Sequence, residues 1–363
     1  MKDYNSLTPA ALWEPLVGPE GTASSAEPGG MQVGKDFVRC RLCAHYCAIP
    51  PNAFGKCGVR LNLDGSLFSA VVGRLAAVNL DPVEKKPLYH FLPGSSTFSL
   101  GTPGCNFRCS FCQNSELSQL PANFADKLRR LESGQPASAA GIVAAAQESG
   151  AASLAYTYNE PTMFFELLRE TARQALDKGL RNIMVSNAYM SAECFAELRD
   201  LIQAANFDLK SFSPEFYHRL CGARLEPVLR TLEAAVRAGW LVEITTLIIS
   251  GLNDSQAELD ALAGFIAGSL GRDVPWHVSR FRPAYRMDKT PPTPLESLER
   301  AMESGQKHGL NHVYVGNLPG HASENTFCPQ CGKLLVERRA YRVSKTFSGT
   351  CTGCGAVIPG IWG

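Results

Sequence analysis

The chain has 363 residues, room for one large catalytic domain with small appendages or for two ordinary domains. Its 45% hydrophobic and 19% charged residues are those of a globular protein and exclude a disordered chain, while 35 Lys and Arg against 34 Asp and Glu imply no field for nucleic acid or a membrane surface. Thirteen cysteines stand out, and an odd count grouped in tight CxxC-type clusters points to metal instead of disulfides.

The opening MKDYNSLTPAALWEPLVG is interrupted by Pro9 and Pro15 and has no continuous apolar run, so no secretory signal is expected. No stretch of about 18 apolar residues occurs, so no membrane span is expected either. Both readings suit a cytoplasmic, reducing compartment. Residues 1–35 read as a flexible leader, because Gly18 to Gly34 is rich in Gly, Ser, Ala and Pro. Residues 36–95 form a cysteine-rich module, VRCRLCAHYCAIPPNAFGKCGVR, with Cys40, Cys43, Cys47 and Cys57 spaced Cx2Cx3Cx9C around His45. Its lack of long periodic segments predicts loops and short strands around an ion. Zinc is the preferred occupant, with a second iron–sulfur cluster as the alternative.

Residues 96–319 alternate short apolar strands with amphipathic helices. Strands are predicted at Phe98 to Leu100, Leu154 to Tyr158, Ile183 to Ser186, Phe207 to Lys210, Val242 to Ile249, His277 to Phe281 and Val313 to Gly316. Gly150, Gly179, Gly239 and Gly309 each close a helix before the next strand, as left-handed C-terminal caps do. Such repeats predict an α/β fold with a parallel sheet. No GxGxxG or P-loop pattern follows a strand, so a partial or closed (β/α) barrel is favoured over a doubly wound sheet. Residues 320–363 leave this pattern. Cys328, Cys331, Cys351 and Cys354 give CxxC, nineteen residues, CxxC, within the zinc-ribbon window. Zinc is expected there; a redox dithiol or a single iron are the alternatives.

The central motif is GTPGCNFRCSFCQN, with Cys105, Cys109 and Cys112 spaced CxxxCxxC directly after the first barrel strand. Three thiolates leave one iron of a 4Fe-4S cluster without a protein ligand, and an open position is where a small molecule is activated. The alternative is a zinc site lacking a ligand. In FDLKSF, period two sends Phe207 and Leu209 to the helix-covered face and Asp208 and Lys210 into the lumen, as a ligand site or a buried ion pair. Glu160 precedes Pro161 after the second strand, where it either caps a helix or serves the site. Asn187 ends the strand IMVSN and either binds a ligand or caps a turn; His277 in PWHVSRF is either a core histidine or a contact. Cys194 falls on an apolar helix stripe, and Cys221 in RLCGAR has no assigned role. The basic segment ERRAYRVSK is too short to predict nucleic-acid binding.

The cysteine loop, with Phe111 before its last cysteine, resembles the radical S-adenosylmethionine (radical SAM) superfamily over about Ser96 to Leu318. More narrowly, CRLCAHYCAI, YTYNEP, PWHVSRFRP and the CPQC/CTGC tail resemble the radical SAM member of the AmmeMemoRadiSam system, a relative of the enzymes that activate glycyl-radical enzymes. The resemblance implies SAM on the open iron, one-electron cleavage to a 5′-deoxyadenosyl radical, and hydrogen abstraction from an unidentified substrate. It implies that Lys210 pairs with the SAM carboxylate, Asp208 neutralises the sulfonium region or binds a cation, and Glu160 receives the ammonium. Phe111, Asn187, with a ribose hydroxyl, and His277 complete the implied cofactor contacts. Where relatives read GGEP, this chain has Tyr158 and Asn159, so its backbone cannot approach SAM in the same way. Implied partners are an external one-electron donor of the flavodoxin or ferredoxin type and a protein of the Memo or AMMECR1 type. The alternatives are a pyruvate formate-lyase-like activating enzyme and, in another class, a non-catalytic metal-binding or electron-carrier protein.

Overall fold

The computed structural model describes residues 7–16, 34–318 and 320–363. Its centre is an eight-stranded sheet: β1 (Ala77–Pro82), β2 (Ser96–Gly101), β3 (Ser153–Tyr156), β4 (Arg181–Ser186), β5 (Ala204–Asp208), β6 (Leu241–Ile248), β7 (Trp276–Arg280) and β8 (Val313–Gly316). The strands lie in sequence order from β1 to β8, and all neighbours from β2 onward are parallel. Each crossover carries a helix, α1 (Ala139–Glu148), α2 (Phe165–Asp177), α3 (Ala192–Leu198), α4 (Leu225–Arg237), α5 (Gln256–Phe265) and α6 (Leu295–Lys307), and shorter helical segments such as Phe124–Glu132 accompany them. Because the order never reverses and such crossovers are right-handed, the helices share one face of the sheet. This is the winding of a barrel, but β1 and β8 are its two edges and do not pair. All seven predicted strands are present.

The local chemistry explains the repeat. Gly150, Gly179, Gly239 and Gly309 all adopt positive φ after their helices, a conformation that costs other L-residues energy. On α4, Val228, Leu232 and Ala235 are fully buried. They join Leu154, Met184, Phe207, Ile244 and Trp276 from the outer face of the sheet in one apolar cluster. Ala155, Ile183 and Ala204 point the other way and pack on Val83, Leu88 and Phe91. The segment between β1 and β2 therefore plugs the inner face at its lower, N-terminal end.

Two boundaries differ from the sequence expectation. Part of the supposed leader is structured: Thr8–Pro9 pairs with Ser66–Ser69, and Trp13–Pro15 pairs with Val38–Cys40. Residues 1–6 and 17–33 of that leader lie outside the described residues. The module boundary at 95 also fails, since β1 lies before it yet pairs antiparallel with β2. Period two there puts Asn79 and Asp81 on one face, a polar signal that resembles a loop. The rest of the module contributes to three small antiparallel sheets, one of them the pair Arg74–Leu75 with Gln135–Pro136.

The C-terminal module has its own small core of Leu335, Val336 and Ile358 around Cys328 and Cys351. It docks under the plug: Arg338 Nη2 donates to Tyr89 O at 2.6 Å, and the Ile361 amide donates to His90 O at 2.7 Å. His90 Nδ1–H donates to Pro359 O at 2.9 Å, leaving Nε2 to accept from the Tyr314 hydroxyl at 2.8 Å. That tautomer is neutral, in keeping with the downward push of burial on this imidazole.

His312 meets His90 edge-on at 4.5 Å, and its Nε2 has no hydrogen-bond partner. Burial, then the neighbouring His90, pushes its imidazolium down to about 2. A histidine neutral in the fold but protonated near pH 6.5 when unfolded contributes stability that is full above pH 6.5 and lost as pH falls. Denaturant titrations between pH 7 and 5 should show this loss, with a share from His312 of about 1.4 kcal/mol per pH unit below 6.5. In His312→Phe that share of the slope should vanish.

Candidate active site

The loop carrying Cys105, Cys109 and Cys112 leaves β2 at the C-terminal ends of the parallel strands, where barrel folds place their chemistry. Its exit needs glycine. A Cβ on Gly101 would lie 2.6 Å from Thr157 O, and one on Gly104, at φ +94°, would lie 2.4 Å from Val59 Cγ1. The loop is then clamped from two sides. Asn159 Nδ2 donates to Gly104 O at 2.7 Å, and Asn114 Nδ2 donates to Tyr158 O at 2.8 Å. Opposite, the Arg108 and Ser110 amides donate to Cys221 O at 2.8 Å and Leu220 O at 2.9 Å. Tyr158 and Asn159 thus serve this chain as a clamp on the cysteine loop. Tyr158 takes φ +72° to do so.

Each thiol has a distinct environment. The Phe107 amide donates to Cys105 Sγ at 3.3 Å, and Asn187 Nδ2 lies 3.9 Å from the same sulfur. Burial pushes the Cys105 and Cys112 thiols up. Cys109 is pulled down, first by a hydrogen bond with Cys221 and then, against burial, by the charge of Lys210. Cys221 ends a π-helical turn, Tyr217–Cys221, closed by Gly222 at φ +67°, a local geometry common at functional sites.

Asp208 and Lys210 are brought to this loop. Lys210 Nζ bonds Asp208 Oδ2 at 2.9 Å and lies 5.9 Å from the centre of the Phe111 ring. Burial alone would push the Lys210 ammonium down, but Asp208 and the nearby thiols Cys109 and Cys221 overturn that and keep it protonated. The pair offers one cation and one anion side by side, with the lysine side chain 15% and the aspartate 35% exposed.

Glu160 and Asn187 sit beside the loop with their polar atoms committed. Glu160 Oε1 accepts from the Thr162 amide and hydroxyl and from Ser186 Oγ, and Oε2 accepts from the Asn187 amide at 2.8 Å. It is the cap of the turn Pro161–Phe164. Asn187 Nδ2 donates to Asn106 Oδ1 at 2.7 Å, and its Oδ1 accepts from the Tyr189 amide. The structure therefore gives both residues a holding role. His277 is not brought to the loop. It opens β7 at the opposite end, bonded to Glu243 Oε2 at 2.6 Å and edge-on to Tyr89 at 4.7 Å. Burial would raise the Glu243 carboxyl, but His277 and His90 hold it low. Glu243 was legible as a carboxylate inside the apolar strand LVEITTLI. Cys221 had no sequence signal, since its place beside Cys109 depends on two separate loops.

The cysteine sets differ in spacing. Cys328 and Cys354 Sγ lie 3.6 Å apart, as do Cys331 and Cys351, and all four fall within 4.8 Å of one another. A single tetrahedral ion with metal–sulfur bonds of about 2.3 Å holds its thiolates about 3.8 Å apart, so this set fits one ion. Among the described residues no other group of three or more Cys, His, Asp or Glu reaches that spacing. Cys354→Ser should lower bound metal by about one ion per chain, measured by elemental analysis of the purified protein. Unchanged metal content would exclude the site.

The family model described as Radical SAM superfamily matches residues 99–264. Uncharacterized protein MJ0808 of Methanocaldococcus jannaschii is 40% identical over 301 residues, covering 83% of this chain and 87% of that protein. A second protein of that organism, Uncharacterized protein MJ0674, is 26% identical over 288 residues, 77% of each chain. GTP 3′,8-cyclase of Paracoccus denitrificans is 28% identical over 179 residues, 48% of each chain. The matched span opens inside β2, takes in the whole cysteine loop with Asp208 and Lys210, and ends in α5; the chain belongs to the radical SAM superfamily.

Proposed function

We propose that the protein is a radical SAM enzyme of the AmmeMemoRadiSam type that abstracts hydrogen from a substrate the site does not name. The observation that carries this reading is the Lys210–Asp208 pair beside Cys109, at the mouth of a parallel sheet. When bound, the cluster supplies one electron to SAM, whose sulfonium C–S bond breaks to methionine and a 5′-deoxyadenosyl radical. Cys105, Cys109 and Cys112 would hold that cluster.

Lys210 is protonated and largely buried, so it offers a charge-assisted hydrogen bond to the SAM carboxylate in a medium that screens little. Asp208 offers the complementary anion for the ammonium or sulfonium. Asn187 orients the loop through Asn106 and Cys105. Phe111, 3% exposed and packed on Phe216, excludes water from the base of the pair. The narrower family reading is supported by the coexistence of the CRLCAHYCAI module, the YTYNEP clamp and the tail in one chain. With it come zinc in the tail, an external one-electron donor of the flavodoxin or ferredoxin type, a Memo or AMMECR1 type partner and a cytoplasmic location. No helix of the described residues is long and apolar enough to cross a membrane.

Two measurements test the reading. Cys109→Ala should abolish 5′-deoxyadenosine formation under anaerobic, reducing conditions, and retained product would overturn it. Lys210→Ala should weaken SAM binding in equilibrium dialysis by about tenfold or more, the equivalent of ~1.5–3 kcal/mol for a charged hydrogen bond. An unchanged affinity would remove Lys210 from the SAM site.

A further inference from the structure

The surface beside the cysteine loop is uneven in charge. Four stretches of chain meet at that loop, residues 43–58, 101–115, 216–225 and 280–287. Backbone contacts fix the joints. His45 Nε2–H donates to Asn106 O at 2.8 Å, the Ser110 amide donates to Leu220 O at 2.9 Å, and the Arg286 amide donates to Ser110 O at 3.1 Å. None of the four stretches contains an Asp or Glu, although the whole chain carries 34 acidic residues against 35 Lys and Arg. Among their basic residues Lys56, Arg108, Arg224 and Arg286 are exposed.

Neutral groups hold these cations. Arg108 Nη2 donates to Lys56 O at 3.4 Å, Arg224 Nη2 donates to Ala44 O at 3.0 Å, and the Arg286 guanidinium lies 5.2 Å from the centre of the Tyr285 ring. A carbonyl oxygen fixes a guanidinium without cancelling its charge. The first contact sets Arg108 beside residue 56, and a Cβ on Gly222, two residues before Arg224, would lie 3.6 Å from Arg108 Cβ. Arg108 is also the residue before Cys109. It is the point at which the cluster loop reaches solvent, between the buried Phe107 and Cys109. The positive field is therefore centred on the loop itself, in a chain whose net charge is only +1.

We infer that this face, built on Lys56, Arg108 and Arg224 with Arg286 at its margin, is the docking surface for an acidic one-electron carrier. The inference rests on the proposed function, which requires that an electron reach the cluster from outside. In the exchange a flavin hydroquinone becomes the semiquinone and the cluster gains the one electron lost, so no further reactant is needed. Opposite charge on the two surfaces speeds encounter and sets orientation. With the rest of the molecule balanced, that attraction guides the carrier to the loop.

The test uses the full chain reconstituted anaerobically with iron and sulfide. Reduction of the cluster by pre-reduced acidic flavodoxin is followed as bleaching of its visible absorbance, with photoreduced 5-deazariboflavin, a small neutral reductant, as the control. The wild-type rate with flavodoxin should fall as salt is added. Lys56→Glu/Arg224→Glu should lower it by about tenfold or more at low ionic strength and leave the deazariboflavin rate unchanged. Should that variant fold poorly, the exposed single change Lys56→Glu decides by the same comparison. Equal flavodoxin rates in variant and wild type, a wild-type rate indifferent to salt, or no reduction by flavodoxin of a cluster that deazariboflavin reduces would each overturn the inference. Loss of RNA binding in a variant that keeps its flavodoxin rate would overturn it too and give the face to nucleic acid. The readout does not depend on SAM cleavage. A wild-type chain that flavodoxin reduces in this salt-dependent way but that makes no 5′-deoxyadenosine would overturn the proposed function and leave the docking face standing.

Discussion

A carboxylate sealed from water must find its hydrogen bonds inside the protein, and Glu160 finds four. Burial raises its carboxyl, and donors from Thr162, Ser186 and Asn187 pull the other way. Those donors come from two adjacent strand ends, so the group sets the relative position of the loops after β3 and β4. The constraint passes onward. Asn187, fixed by its amide on Glu160, bonds Asn106 and approaches Cys105, and Asn159, the preceding residue of the Glu160 loop, grips Gly104. The geometry of the first cluster thiol is thus set by one buried acid and three amide side chains. Their arrangement is rigid because each unsatisfied atom would cost on the order of 1–3 kcal/mol.

Much of this was legible before the fold was known, for physical reasons that differ by element. The seven parallel strands announce themselves because each is mostly apolar and buried, and four of the helices that follow them, α1, α2, α4 and α6, end at a glycine of positive φ. The outward Phe207 and inward Asp208 follow from the two-residue period of the strand. The antiparallel edge strand β1 is hidden because its inner face carries Asn79 and Asp81, and Asp81 is held by Lys85, Lys86 and the Tyr158 hydroxyl. Such alternation of polar and apolar residues near prolines reads as loop. His277 misleads for the opposite reason. A histidine in a barrel strand looks the same whether it stands at the chemical end or the plugged end, and only the register with Glu243 and the plug residues decides.

The tail and the loop after β2 present their cysteines on different backbones. In the tail, two CxxC turns face each other across a small sheet, with Gly332 and Gly355 at positive φ. The Gly353 amide helps draw Cys351 down to about 6. The turns converge on one point. In the loop after β2 the three thiols are carried by a single stretch of chain pinned at Asn106, Arg108 and Ser110.

The floor beneath the sheet couples these centres through folding. His90 in the plug bonds Pro359 across 269 residues of sequence, and Pro359 follows directly on the four-cysteine tail. The plug is held from both sides, by the sheet above and by Arg338, Pro359 and Ile361 below. Residues far apart in the sequence thus close one floor, and that floor is complete only when the C-terminal segment has docked.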